Sequence, residues 1–282
     1  MSYNDTVIFT INGFQGNMWS GPQANTGKAL SDQGAHVAYW QPIGYNSGGF
    51  PLSVGVNSGL SALQTQFNVH LAGQGYPGEQ PMKNILMSDW SEGSIIATLA
   101  YYNSVKGVPG WPSVSMWKAR TTFGHPYRQL HKWAPNAAFP QFGPDFAPDP
   151  GADGIGGTRN NMGEGGNPQT PSFQADYAHP GDLYTNCPDD ARGNAIRIIF
   201  DFVLTQFTGA FEDLWQFVLN LESNVLNEIG GITGAITIAV SFYSSGTAAH
   251  VNYDSTDSIN YMLGVARTLG GKSLRPTRPK KT

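Results

Sequence analysis

The chain has a single cysteine, Cys187, among 282 residues. One thiol makes no internal disulfide, so the fold must hold without covalent staples, as suits a reducing cytoplasm. Charge is also scarce: Asp, Glu, Lys and Arg make up 13% of the residues, and the net charge is −4. A charge so mild and dispersed leaves no footprint for a nucleic-acid partner. Residues 1–14 have neither a basic leader nor a long apolar run. No secretory signal is therefore expected, and action outside the cell would need another route of release. The most apolar late stretch, Ile229–Tyr243, is too short and too interrupted by Gly, Thr and Ser to span a bilayer, so no transmembrane segment is expected. No Cys/His cluster has metal-ligand spacing. Asp145, Asp149 and Asp153 lack the twelve-residue loop pattern of an EF-hand calcium site. Neither a metal nor a cofactor is expected.

What is present is apolar and aromatic: 40% hydrophobic residues, 12% aromatic. A chain of this length and composition buries a core of its own, in one large domain or two small ones. Thr6–Ile11 is β-branched and aromatic and reads as a buried strand running into Asn12-Gly13-Phe14. Gln23–Leu30 reads as a short helix, and Ala35–Trp40 as a strand ended by Pro42 and Gly44. Leu52, Val56, Leu60, Leu63 and Phe67 recur at helical spacing after Pro51. Lys83–Met87 and Trp117–Phe123 read as strands, with a helix carrying Ile95, Ile96, Leu99 and Tyr102 between them. Strands alternating with helices predict an α/β fold with a mostly parallel sheet. Pro135–Pro171 is dominated by Gly and Pro and reads as a long loop. Phe173–Ala178 resumes the sheet. Helices are then predicted over Ala191–Phe207 and Phe211–Leu226, and a third apolar segment over Ile232–Tyr243.

The stretch with most chemical content is Asn84–Ala97. An apolar run ends at Asp89-Trp90-Ser91-Glu92-Gly93, and a helical pattern begins at once. This is the layout of a nucleophile elbow, whose usual pattern is Gly-x-Ser-x-Gly. Gly93 keeps the second glycine, which lets the helix pack close behind the serine. Asp89 replaces the first and puts the geometry of the turn in question. A serine nucleophile needs a base and a carboxylate to orient that base, and in this fold they follow in the order Ser, Asp or Glu, His. Ser91, Asp182 and His250 are in that order, and His250 is the only histidine after Asp182. His125 and His179 are the competing histidines. An oxyanion needs backbone donors. The Glu92 amide is one candidate, and the Gly13 or Phe14 amide the other. Asn12 is read either as a clamp on that loop or as an ordinary turn residue.

Several segments together resemble mycobacteriophage lysin B, a family of cutinase-like α/β hydrolases. They are Phe9-Thr10-Ile11-Asn12-Gly13, Trp40-Gln41-Pro42-Ile43-Gly44 with Phe50-Pro51, Gly124-His125-Pro126-Tyr127-Arg128, Tyr177–Tyr184 and His250-Val251-Asn252-Tyr253. The resemblance runs in order from residue 7 to about 265. It implies an α/β-hydrolase sheet with a helical insertion between the catalytic Asp and His. It also implies a serine esterase of mycolyl-arabinogalactan and simpler lipid esters, with no metal or organic cofactor. On this reading residues 1–192 form the core, 193–245 the helical insertion beside the active site, 246–271 a return to the core with the catalytic His, and 272–282 a basic tail. Asn12, Trp90, Phe211 and Trp215 are the expected substrate contacts. Phe211 and Trp215, with Leu214 and Val218, form either a lipid-facing wall or plain helix core. The expected site of synthesis is the cytoplasm of a phage-infected actinobacterium, with action on the envelope after lysis or from the virion. Asp89, the loop 135–171 and the basic tail motivate an alternative, a phage tail or envelope-binding protein with reduced or no activity that touches other tail proteins.

Overall fold

The computed structural model describes residues 5–31, 35–132, 151–243 and 248–270. The basic tail, the first part of the Gly/Pro loop and its Asp145 and Asp149 lie outside the described residues. In chain order the elements begin with β1 (Thr6–Ile11), α1 (Pro22–Leu30), β2 (Tyr39–Ile43), α2 (Leu52–Leu71), β3 (Asn84–Trp90), α3 (Glu92–Val105) and β4 (Trp117–Phe123). There follow β5 (Ala152–Asp153), α4 (Gly157–Asn160), β6 (Gln174–Tyr177), β7 (Cys187–Pro188), α5 (Ala191–Thr205) and α6 (Phe211–Leu219). The last are α7 (Ser223–Glu228), α8 (Gly231–Tyr243), α9 (Ala248–Val251) and α10 (Thr256–Leu269).

The main sheet has the order β2-β1-β3-β4-β6, and every pairing in it is parallel. β1 is buried along its whole length because helices cover both faces of the sheet. Side chains alternate across a strand. Val7, Phe9 and Ile11 accordingly join the cluster that contains Phe67 of α2 and Ile96 of α3. Ile8 turns the other way, onto Leu30 of α1 and Met262 and Ala266 of α10. The result is the predicted α/β fold with a parallel sheet, here with helices on both of its faces.

Four elements differ from the sequence reading. β2 begins later and continues over Pro42, which pairs with Thr10. It is an edge strand, where a proline's missing N–H costs no ladder bond if that side faces outward. Phe211–Leu226 is two helices, broken around Asn220, whose N–H turns back to the Gln216 carbonyl. The described half of the Gly/Pro segment is ordered by packing. β5 pairs with β7, α4 follows, and Ile155 and Met162 are buried. Finally, α10 covers a sheet face where no helix had been anticipated.

Candidate active site

β1, β3 and β4 end at Ile11, Trp90 and Phe123, so Asn12, Ser91 and Gly124 leave the sheet side by side at its carboxyl edge. That edge is where parallel sheets carry their working residues. Ser91 sits in the turn between β3 and α3 with φ +56°, a backbone conformation rare outside glycine. Its N–H donates to the Phe123 carbonyl at 2.9 Å, which ties the turn to β4. A Cβ on Gly93 would lie 2.5 Å from the Ile11 and Asn12 carbonyl oxygens, so only glycine lets α3 start this close to β1.

Asp89 does not crowd the turn. It is fully buried at the end of β3, and Arg120 of β4 grips it with two hydrogen bonds, Nε to Oδ2 at 2.8 Å and Nη2 to Oδ1 at 3.1 Å. Arg120 also donates to the Gln174 side chain, the Ser94 carbonyl and the Thr98 hydroxyl. A buried charge satisfied on all sides costs far less than a lone one. The carboxylate at the missing glycine's place is thus taken up by an ion pair with the next strand.

The structure brings Ser91, His250 and Asp182 together. His250 Nε2 lies 2.7 Å from Ser91 Oγ. His250 Nδ1 faces both Asp182 oxygens, at 3.0 and 2.9 Å. Asp182 is fully buried, and it also accepts from the Tyr253 hydroxyl at 2.7 Å and the Tyr184 amide at 3.0 Å. The His250 ring stacks on Tyr184, centroids 4.2 Å apart, with Trp90 at 6.0 Å. Trp90 Nε1 donates to the His250 carbonyl at 3.1 Å. Trp90, expected as a substrate contact, thereby holds the backbone of the histidine. Gly124, at φ +58°, is required here too: a Cβ would come within 2.7 Å of the His250 ring and 3.0 Å of Asp182.

His125 and His179 stand apart from this chain of contacts. His125 is fully buried, between Asp176 at 2.8 Å and Thr98 at 2.7 Å, and burial lowers its pKa. His179 packs on the Tyr253 ring at 4.4 Å, and its backbone N–H donates to the Tyr253 hydroxyl oxygen.

The loop after β1 lies against the serine. A Cβ on Gly13 would be 2.9 Å from Ser91 Cβ and 3.4 Å from Oγ. Among the described residues, neither the Gly13 nor the Phe14 amide is taken by a loop carbonyl. The Glu92 amide opens α3, where first-turn N–H groups have no intrahelical partner. Asn12 is buried, and its amide nitrogen donates to the Gly13 carbonyl at 3.0 Å and the Gly16 carbonyl at 2.6 Å. Its side chain therefore clamps the loop and is not turned outward as a substrate contact would be. Tyr45 reinforces the same loop, donating to the Asn12 carbonyl at 2.7 Å.

Leu214 and Val218 are core, whereas Phe211 and Trp215 are exposed and stack on each other with centroids 6.3 Å apart. The aromatic residues that reach the serine loop are others. Phe14 packs on Phe50 at 5.1 Å, Phe50 on Phe207 at 5.2 Å, Phe207 on Phe202 at 6.0 Å, and Phe202 on Phe217 at 4.0 Å. Phe50, Tyr184 and Tyr253 lie inside the segments that carry the resemblance, but their roles are not legible there. Tyr45 carries no sequence signal, because it acts through Asn12 and Glu92, both distant in the chain. Among the described residues, no cluster of His, Cys, Asp and Glu has the geometry to hold a metal. Asp153, once a calcium candidate, is paired with Arg197.

No protein-family model matches the sequence, and no curated protein matches it at a significant level. Among solved structures, lysin B from Mycobacteriophage D29 matches with a TM-score of 0.65 at 20% identity, covering 92% of this chain and 99% of that one. The catalytic core domain of acetyl xylan esterase from Trichoderma reesei matches with a TM-score of 0.47 at 16% identity, over 73% of this chain and 100% of that one. Likeness at such identity speaks for the fold, and the parallel sheet with its flanking helices agrees with it: the chain has the α/β-hydrolase fold of a phage lysin B.

Proposed function

We propose that the protein is a serine esterase in which Ser91 is the nucleophile, His250 the general base and Asp182 the carboxylate that orients it. The observation that carries this reading is the unbroken contact from Ser91 Oγ to His250 Nε2 and from His250 Nδ1 to Asp182. Ser91 attacks the ester carbonyl while His250 takes its proton, and Asp182 stabilises the imidazolium. The oxyanion forms against the Glu92 amide and the Gly13 or Phe14 amide. Collapse expels the alcohol, which His250 protonates. Water, activated by the same histidine, then releases the acid and restores Ser91. The cycle needs no metal or organic cofactor.

A lipid ester is the proposed substrate, specifically the mycolyl ester of arabinogalactan in a mycobacterial-type envelope. Two supports bear on it. One is the likeness in fold to lysin B. The other is the run of packed rings from Phe14 through Phe50 to the buried Phe207, which begins at the loop beside Ser91. Phe211 and Trp215 belong to the outer face of the helical insertion, where the same lipid would meet them. Among the described residues no helix is long and apolar enough to cross a membrane. The reading as an inactive tail protein loses one of its motives, since Asp89 is accommodated by Arg120.

The test is hydrolysis of p-nitrophenyl esters of increasing acyl length by the wild type and by Ser91→Ala. Loss of about 10⁴-fold or more in kcat with the fold intact is expected. Undiminished turnover by the variant would overturn the assignment. Release of mycolic acids from isolated envelope by the wild type alone is expected for the mycolyl ester. Activity confined to short soluble esters would exclude it.

A further inference from the structure

Glu92 does more than offer its amide. Its side chain is 3% exposed, and the carboxyl approaches the hydroxyl of Tyr45, whose oxygen lies 3.2 Å from Glu92 Oε2. The same hydroxyl lies 2.7 Å from the Asn12 carbonyl oxygen. Tyr45 has one proton for two contacts. A carbonyl oxygen only accepts, so the shorter contact takes the Tyr45 proton. The contact with Glu92 is then a hydrogen bond only if the proton in it comes from the carboxyl. The other carboxyl oxygen, Oε1, is buried without a hydrogen-bond partner, against Gly55 at the start of α2. An ionised carboxylate in that setting would be a poorly solvated charge, whereas a protonated acid is tolerable.

The Asn12 carbonyl and the Gly13 N–H belong to one planar trans peptide unit. Whatever holds that oxygen also fixes the direction of that N–H. Gly13 is the residue packed on Ser91. We infer that the Glu92 side chain, acting through Tyr45, is a positioning group for the oxyanion loop: the protonated acid leaves the Tyr45 hydroxyl free to hold the Asn12 carbonyl and so aims the Gly13 amide at the substrate oxygen. This rests on the Ser91 esterase reading.

Loss of the acid proton reverses the arrangement. A Glu92 carboxylate competes for the single Tyr45 proton, and the Asn12 carbonyl loses its donor. Burial pushes the Glu92 carboxyl up to about 8, with the Tyr45 hydrogen bond opposing. The titratable groups facing it are the phenols of Tyr45, from the loop after β2, and Tyr184, from the loop before β7. Tyr184 in turn stacks on His250, and its amide is held by Asp182. The neighbours from the loop after β1 and from α2 are the Asn12 carbonyl and Gly55, neither of which titrates.

The experiment is kcat and KM for p-nitrophenyl butyrate from about pH 6 to about pH 10, with the Ser91→Ala rate subtracted. The wild type is expected to lose kcat above about pH 8. Glu92→Gln, whose amide donates to Tyr45 at every pH, is expected to hold its kcat through that range. Tyr45→Phe is expected to lower kcat by about 10- to 100-fold with KM within about twofold, less than deletion of a whole oxyanion donor. Adding Glu92→Gln to Tyr45→Phe should cost nothing more. A Glu92→Gln variant that keeps the wild-type alkaline fall, or a Tyr45→Phe variant with full kcat, would overturn the inference alone. Should either variant fail to fold, a wild-type kcat that stays level to about pH 10 is sufficient to overturn it. A wild type without Ser91-dependent turnover would overturn the esterase reading, and this one with it.

Discussion

Asp89 stands where the elbow pattern has glycine, and its partner is Arg120 across the β3–β4 pairing. Sequence alone identifies the departure but not the compensation, because the two residues are far apart in the chain and adjacent only in the sheet. Restoring the usual glycine should therefore harm the protein. Asp89→Gly leaves the Arg120 guanidinium buried without its carboxylate, which costs on the order of 3 kcal/mol. Chemical denaturation should show that loss, and unchanged stability would contradict the ion pair's role. Glu92 gives the opposite kind of prediction. Its carboxyl sits at about 8 in the fold against an ordinary 4.5. At pH below both values it is protonated in both states and costs nothing. As pH rises through that window the unfolded chain releases a proton that the folded chain retains, so stability falls. Glu92→Gln should be more stable than the wild type by an amount that grows from pH 4.5 to pH 8, reaching on the order of 4 kcal/mol. Denaturant midpoints at the two ends of the window check it. A difference that does not change with pH would refute it.

The elements meet at the site through close backbone approaches. α3 starts against the end of β1, and the loop after β4 lies under the His250 ring, with Gly93 and Gly124 at the two contacts. Gly124→Ala adds a Cβ within 2.7 Å of that ring and should displace it from Ser91. A misplaced base of this kind lowers kcat by about 100-fold. Steady-state kinetics beside a melting curve would separate this from unfolding, and a variant with wild-type kcat would contradict it. At this scale the sequence was legible where a local pattern suffices. The β-branched run Thr6–Ile11 and the apolar spacing of Leu52, Val56, Leu63 and Phe67 read directly as strand and helix. It was not legible where a neighbour decides. Pro42 is tolerated because β2 is an edge strand. Residues 256–269 do carry helical spacing at Ile259, Met262, Ala266 and Leu269, but which sheet face they cover is decided by Ile8 and Leu30. The candidate site divides the same way. Ser91, Asp182 and His250 follow from residue type and order. The supporting Tyr45, Tyr184 and Tyr253 depend on contacts between residues tens of positions apart or more, and Phe50 on its packing with Phe207.

Across the whole molecule, the helices of residues 191–243 are joined to the site by the Tyr184 hydroxyl, which donates to the Phe242 carbonyl of α8 at 2.7 Å. Cys187, in β7, belongs to the same core cluster as Ile196 and Ile199 of α5. It is fully buried, and burial pushes its thiol up to about 12. A buried, protonated thiol does not react. Cys187 should therefore resist a disulfide reagent in native buffer and become labelled only as fast as the protein unfolds. Rapid labelling without loss of fold would mean that the helices open independently of the sheet. The most direct test of the central account is the site of covalent capture by an organophosphate ester, read by mass spectrometry of the peptides. The account predicts a single adduct on Ser91, formed by the wild type and strongly slowed in His250→Ala. An adduct on another residue, or none on folded protein, would contradict it.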